Sequence, residues 1–206
     1  MKTILVTNRK GGCGKTMAAI TLAAALSEGG WRVALADADP QGSALKWAAR
    51  RPKGVAKVKA LDWSGASLKI PKSTDWLIVD SPGGLGRAET GDLVAETKVI
   101  LMAVMPSVFD AGAAATFHED LGRFKRVRKG KAGVAVLANR VRPRTRALAR
   151  LRALLDEIGA PPLAEISERS VYDDLAVEGL ALFDSRLKTH AGARAQWRPV
   201  LEMLLA

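Results

Sequence analysis

Lys10-Gly11-Gly12-Cys13-Gly14-Lys15-Thr16 is the stretch whose reading decides the fold of this chain. Ahead of it, residues 2–7 alternate and then stop at the glycines; behind it, residues 18–26 are rich in Ala and Leu and stop at Gly29-Gly30, good helix-ending residues. The order is therefore strand, Gly-rich loop, helix. In that setting every residue type contributes something specific. Glycines let backbone N–H groups turn inward around a phosphate, and the helix N-terminus adds a favourable dipole. Lys15 neutralises β/γ oxygens and the Thr16 hydroxyl can ligate Mg²⁺. The ordinary pattern G-x-x-x-x-G-K-[ST] would need glycine where Arg9 stands, so a variant of that loop, carrying the additional Lys10, is the one that fits.

The same rhythm continues outward. Residues 32–36 form a short apolar run closing on Asp37 and Asp39, and Ser43–Arg50 has a helical pattern. Further apolar runs at 76–79, 99–104, 134–137 and 163–166 alternate with helical patterns, which predicts an α/β fold: a doubly wound, mostly parallel sheet with helices on both faces. Residues 51–72, with one weak strand at 57–61, read as a variable edge, and a helix is predicted from about 110 to 130. A last helix spans about 190–205, with Pro199 as a kink or break.

Length and composition narrow the function. A chain of 206 residues suffices for one domain, 1–206, with a sizeable core. The longest apolar runs, such as 99–105, are far below the roughly 20 residues that cross a bilayer, and the start of the chain lacks a signal-type cleavage region, so a cytoplasmic protein is expected. A lone cysteine, Cys13, excludes an internal disulfide framework and any site built from cysteine pairs within one chain. Net charge of +11 points to a polyanionic partner, nucleic acid or an anionic membrane surface, against the blander alternative of a solvated basic surface.

Asp80 ends an apolar strand at the carboxyl edge of the sheet, where open α/β folds bind ligands, and is expected to hold a magnesium-bound water. Asp37 and Asp39 are two apart after another strand, so in extended geometry both would point toward the site; one could organise magnesium water and the other orient an attacking water. A turn and a helix cap before Ser43 is the structural alternative.

The loop, together with three further segments, resembles the ParA/MinD group of deviant P-loop (deviant Walker A) ATPases, named for the lysine at the position of Lys10. Residues 36–42, ADADPQG, resemble the DxDPQG segment typical of the ParA branch; residues 76–82, WLIVDSP, resemble the strand ending in a magnesium-associated aspartate. Met105-Pro106-Ser107 through Asp110 resembles the segment near the nucleotide after the fourth core strand. The resemblance spans residues 1–184 and is closest to the small ParA proteins that partition plasmids or position protein cargo. It implies ATP/ADP and Mg²⁺ as cofactors, with nucleotide held by Lys10, Gly11, Gly12, Cys13, Gly14, Lys15, Thr16, Met17, Pro106 and Asn139. The metal would lie near Thr16, Asp37 and Asp80, and Lys10, Lys15 and Asp39 would carry catalysis, Asp39 by orienting the nucleophilic water. Lys10 in such relatives reaches the partner subunit's nucleotide, so the resemblance implies an ATP-bound homodimer with slow turnover until a ParB-like or cargo-adaptor activator engages.

Two basic clusters compete for nonspecific DNA on the nucleoid. Residues 125–131 close a predicted helix, where the dipole already accounts for cations. Arg140, Arg142, Arg144, Arg146, Arg150 and Arg152 instead surround a helix start, where the dipole disfavours them. At 100° per residue Leu148, Leu151, Leu154, Leu155 and Ile158 share an arc, leaving Arg146 and Arg150 together outside it and suited to sequence-independent phosphate contact. Arg169, Arg186 and Lys188 could extend this surface, though nothing local distinguishes them from solvated charge. Only eight residues precede Arg9, leaving no room there for a helix-turn-helix. A MinD-like membrane ATPase, with residues 197–205 as an amphipathic anchor, is the alternative, and a small-molecule ligase on the same scaffold is a second. A thiol switch at Cys13 would have no resolving cysteine.

Overall fold

The computed structural model describes residues 1–65 and 69–206, without the side chains of 108–110. In chain order the elements are β1 (Lys2–Thr7), α1 (Lys15–Glu28), β2 (Val33–Asp37), α2 (Ser43–Arg50), β3 (Val58–Asp62), β4 (Trp76–Asp80) and α3 (Arg87–Ala95). They continue with β5 (Val99–Val104), α4 (Val108–Gly122), the single-turn α5 (Lys125–Arg128), β6 (Gly133–Val141), α6 (Arg146–Glu157), β7 (Pro162–Ser167), α7 (Val171–Val177), α8 (Ala191–Gln196) and α9 (Arg198–Leu205). The strands form one seven-stranded sheet in the order β3-β2-β4-β1-β5-β6-β7, parallel throughout.

Period-two alternation along the strands divides the core into two layers. Ile4, Val6, Val33, Leu35, Trp76 and Ile78 face α1, α2, α7, α8 and α9. Leu5, Ala34, Ala36, Leu77 and Val79 face the opposite way, against α3, α4 and α6. Burial on both faces explains why these strands read as continuous apolar runs. Helix α1 is buried almost all round, and its alanines 18, 19, 23 and 24 let its backbone lie close on the sheet. The doubly wound class is as predicted, and Leu148, Leu151 and Leu155 form the buried stripe of α6.

Four details differ from the sequence reading. The helix predicted at 110–130 breaks, because Phe124 turns extended (φ −69°, ψ 134°) and lays its ring against Gly91 of α3. Strand β6 runs on past residue 137 to Val141, carrying Asn139 and Arg140 into the sheet. Residues 51–72 are not wholly a loose edge, since Arg51 is sunk into a buried pair with Asp184 (Nη2 to Oδ1 2.7 Å) and lies over the Trp47 ring. The C-terminal break falls at Trp197, one residue after α8 and two before Pro199, which sits in the first turn of α9. Trp197, Val200 and Leu204 are buried, so this segment is core.

Candidate nucleotide site

Strand order reverses around β1: the chain leaves it through α1 toward β2 on one side, and later crosses from β4 to β5 on the other. The crevice at the carboxyl ends of β1 and β4 is the switch point, where open α/β sheets bind ligands. The loop of residues 8–15 fills it. Gly12 (φ 76°) and Gly14 (φ 83°) take left-handed backbone conformations that L side chains resist. Asn8 anchors the base of the loop, its Nδ2 donating to the Ala103 carbonyl (2.6 Å) and its Oδ1 accepting from the Lys10 N–H (3.2 Å). The Gly84 N–H donates to the Arg9 carbonyl (2.7 Å), and Gly83 comes so near Gly11 that a side chain there would press on its backbone.

Within that frame, Lys15 Nζ donates to the Lys10 carbonyl (3.0 Å), curling the loop around the ammonium. Buried Cys13 donates its thiol to the same carbonyl (3.3 Å). Gly11, Gly12, Gly14, Lys15, Thr16, Met17 and Asp39 all line one open cleft of about 820 Å³. The Lys10 side chain is exposed and does not line this cleft. Arg50, which the sequence reading passed over as the end of α2, also lines this cleft, with Nη2 donating to the Ala176 carbonyl (3.2 Å). Half-buried Pro106 lines neither this cleft nor the cavity beside it, and the side chain of Asp110 lies outside the described residues.

The three aspartates are not alike. Asp37 and Asp39 do not face the cleft together, because β2 ends at Asp37 and the chain turns there. Asp37 is fully buried and caps α2, its Oδ2 accepting from the N–H groups of Ala44 (2.8 Å) and Leu45 (3.0 Å), its Oδ1 from that of Asp39 (3.1 Å). Asp39 is half-buried on the cleft wall, with Oδ1 accepting from the Gln41 N–H (2.9 Å).

Asp80, paired in register with Asp37 across β2 and β4, is buried with neither oxygen accepting a hydrogen bond of ordinary geometry from the described residues. Burial pushes its carboxyl up to about 7; Thr16 and Lys15 are near enough to favour the charge, while Asp37 and Asp39 oppose it. An orphaned carboxylate beside the Thr16 hydroxyl and the Lys15 ammonium is what a hydrated magnesium ion with a nucleotide phosphate would complete. No group of three or more His, Cys, Asp or Glu among the described residues is placed to hold a metal, so such an ion would depend on the nucleotide for part of its shell.

A second cavity of about 340 Å³ adjoins the cleft through the shared residues Gly14 and Met17. Its walls are Asn139 and Arg140 of β6, the end of β7 at Ser167, and the segment after it, including Glu168, Ser170 and Asp173, with Tyr172 and Trp197 behind. Trp197 Nε1 donates to the Tyr172 hydroxyl (3.0 Å). A cavity with carboxylate and hydroxyl acceptors, one step past the phosphate loop, suits a nucleobase. The β6–β7 ladder slips between Ala138 and Val141, and Arg140 has φ 51°. This irregularity turns Asn139 toward the loop, where its Nδ2 donates to the Cys13 carbonyl (2.9 Å) and sits where a Gly14 side chain would be. The segment at 167–173 went unread in the sequence; its one signal was position, another loop at a strand's carboxyl end. Arg169, read as part of a basic surface, belongs to this cavity's wall.

This geometry agrees with what the chain is similar to. The profile of the CobQ/CobB/MinD/ParA nucleotide binding domain matches residues 4–182. The chain belongs to that family. It is 33% identical over 189 residues to the maintenance of carboxysome distribution protein A of Halothiobacillus neapolitanus, covering 88% of this chain and 86% of the relative. Among solved structures, apo McdA of Cyanothece superposes with a TM-score of 0.79 at 18% identity, covering 99% of both chains. The septum site-determining protein MinD of Pyrococcus horikoshii, complexed with Mg-ADP, does so with a TM-score of 0.72 at 17% identity, covering 100% of this chain and 97% of that one. At those identities the superpositions speak for the fold.

On the shoulder formed by β6 and α6, Arg142, Arg144, Arg146 and Arg150 are exposed. Their charges are partly matched. Arg140 Nη2 and Arg142 Nε both reach Glu168 (3.0 and 2.6 Å), and Arg152 forks onto Glu165. The two arginines hold the Glu168 carboxyl below its ordinary range, Arg142 contributing most. Thr145 caps α6 by accepting from the Leu148 N–H (3.3 Å). Arg144, Arg146 and Arg150 form no salt bridge with a described residue.

Proposed function

We propose that this family member is an ATP-dependent switch: ATP and Mg²⁺ occupy the cleft, the loaded chain forms a sandwich homodimer, and that dimer binds DNA without reading sequence. The observation that carries the reading is the pairing of an ordered phosphate loop with Asp80, a buried carboxylate aligned beside Thr16 and short of partners. Lys15 would exchange the Lys10 carbonyl for β/γ phosphate oxygens, and Thr16 and Asp80, with Asp37 behind them, would hold the metal's shell. Magnesium, when bound, supplies charge neutralisation on the phosphates. Asp39, on the cleft wall, would orient an attacking water, and exposed Lys10 would reach the partner's nucleotide. The 340 Å³ cavity would take the adenine beside Asn139.

Because phosphoryl transfer needs mainly positioning and charge compensation, a site completed by dimerisation turns over slowly and leaves room for an activating partner. Arg144, Arg146 and Arg150, with Arg140 and Arg142, supply the duplex surface. The likeness to a carboxysome distribution protein supports a protein assembly on the nucleoid as the cargo, ahead of a plasmid. No helix among the described residues is long and apolar enough to cross a membrane, and the burial of Trp197, Val200 and Leu204 speaks against the anchor alternative.

The test measures binding to a nonspecific duplex without nucleotide, with ADP and with ATP, at low and high salt, alongside hydrolysis and mass in solution. ATP-specific dimerisation with salt-sensitive duplex binding, lost in Arg146→Ala/Arg150→Ala, is the expected result. A monomer indifferent to ATP, or duplex binding equal in every nucleotide state, sinks it.

A further inference from the structure

Arg9 stands where the ordinary phosphate loop has glycine, and its side chain does not line the cleft but lies on α4. The guanidinium pairs with Asp120 (Nη1 to Oδ2 2.9 Å) and sits over the Phe117 ring, 5.4 Å from its centroid. Asp120 belongs to the last turn of α4, where the helix dipole disfavours an anion and where the helix itself supplies no basic residue. Its charge is answered from outside the helix, by Arg9 and by Arg123 (3.0 Å). Ala114, Phe117 and Leu121 are buried in the core, so α4 is a fixed wall for Arg9 to hold. The Arg9 carbonyl meanwhile accepts from the Gly84 N–H (2.7 Å), which ties the same residue to the segment that follows Asp80.

We infer that Arg9 is a positioning residue: pinned to α4 through Asp120 and Phe117, it sets the direction in which Lys10 leaves the loop once nucleotide is bound, and so governs the ATP-dependent pairing of two chains. The inference rests on the proposed switch, in which Lys10 reaches the partner's nucleotide. In the empty loop the Lys10 N–H donates to Asn8 Oδ1, and the Lys10 carbonyl accepts from the Lys15 ammonium and the Cys13 thiol. A phosphate that takes the Lys15 ammonium withdraws the charged donor from that carbonyl, and residue 10 is then less constrained on its far side. Its direction passes to what holds residues 8 and 9. Asn8 fixes the root of the loop on β5, through the Ala103 carbonyl, and Arg9 fixes its outward turn on α4. Arginine suits that task, because an ion pair and a ring face together restrain both the position and the tilt of a planar guanidinium. The side chains of Arg9 and Asp120 are 37% and 15% exposed, so water screens the pair only in part.

The experiment measures calorimetric binding of ADP, which loads the loop without pairing two chains, and mass in solution with ATP across a range of protein concentration. Arg9→Ala should leave ADP affinity within about twofold and weaken ATP-dependent pairing by about tenfold, the scale on which neighbouring residues couple. Asp120→Asn should reproduce that loss, Arg9→Lys should recover only part of it, and Arg123→Ala, on the outer side of Asp120, should leave pairing unchanged. The deciding comparison is made in a Lys10→Ala background. There Arg9→Ala should weaken pairing no further, because a residue that acts through Lys10 has nothing left to aim. Urea unfolding checks that the variants fold, and Asp120→Asn, nearly isosteric and sparing Phe117, carries the test if Arg9→Ala folds poorly. ADP affinity falling as far as pairing, additive losses in Arg9→Ala/Lys10→Ala, or undiminished pairing of Arg9→Ala and Asp120→Asn would each overturn the inference and leave the switch intact. A wild-type chain that stays monomeric with ATP would overturn both together.

Discussion

Asp80 and Asp184 are both carboxylates shut away from solvent, and the protein treats them in opposite ways. Asp184 is met by the Arg51 guanidinium at both oxygens (2.7 Å each) and by the Ala181 N–H (2.7 Å), and Arg51 is satisfied in turn by the Ala56 and Gly179 carbonyls. Asp80 accepts no bond of ordinary geometry from the described residues, and burial lifts its proton affinity to near neutrality. The first arrangement closes α2 onto the C-terminal segment and is complete within the chain. The second is left incomplete by the described residues, which is how a fold reserves a place for a ligand: an unmatched buried charge destabilises the empty protein and is relieved when the missing partners arrive.

The largest effects should come from breaking each arrangement. Lys15→Ala should reduce hydrolysis by about 10²–10³-fold, the range for removing a preorganised charge from the reacting phosphates, while the melting temperature barely moves; retained turnover would show that the cleft is not the site. Asp184→Ala should do the reverse, costing about 3–5 kcal/mol of stability by leaving Arg51 charged and alone, read by urea unfolding with the nucleotide affinity of the surviving folded fraction unchanged.

Asp80→Asn sharpens the contrast, because it should damage hydrolysis yet stabilise the empty protein. The folded carboxyl titrates near 7, above the 3.8 of an ordinary aspartate, so the empty native state binds the extra proton. The contribution of Asp80 to stability is therefore greatest at low pH and is lost as pH rises from about 4 through about 7. The substitution should raise stability by up to a few kcal/mol at about pH 8 and by little at about pH 4. A benefit independent of pH would mean that Asp80 is not strained in the empty state.

Smaller shifts should follow at the phosphate loop and on the shoulder. Gly14→Ala would drive a methyl group onto the Asn139 amide at a backbone angle alanine resists, weakening nucleotide binding by about tenfold or more, given a strain of about 1–3 kcal/mol. Calorimetric titration would read it. Glu168→Gln should release Arg140 and Arg142 and steepen the salt dependence of duplex binding by about one to two phosphate contacts, an effect absent if those arginines face no phosphate.

Much of this was legible in one dimension. The loop at 10–16 could be read because its chemistry is local: glycines with positive φ, a lysine and a hydroxyl are adjacent in sequence and need only a strand before them and a helix after. The two-layer core was legible too, since side chains alternate with period two along every strand. Position along the chain also placed Asp80 at a strand's carboxyl end. What stayed hidden depends on elements far apart in sequence. Glu168 and Glu165 neutralise arginines of β6 and α6 only because β7 lies beside β6; Asn139 meets Gly14 only through a slip in that ladder.

By itself, then, the sequence determined the sheet, the phosphate loop and the excess of positive charge, because these follow from residue type and near neighbours. Tertiary structure alone decided which charges are matched and which are left waiting, because a counterion is chosen by distance in space. It paired Asp184, turned Asp37 into a helix cap, left Asp80 open, and divided the basic surface between a partly neutralised shoulder and a groove at the opposite end of the strands whose lysines, Lys53, Lys57 and Lys59, form no ion pair with a described residue.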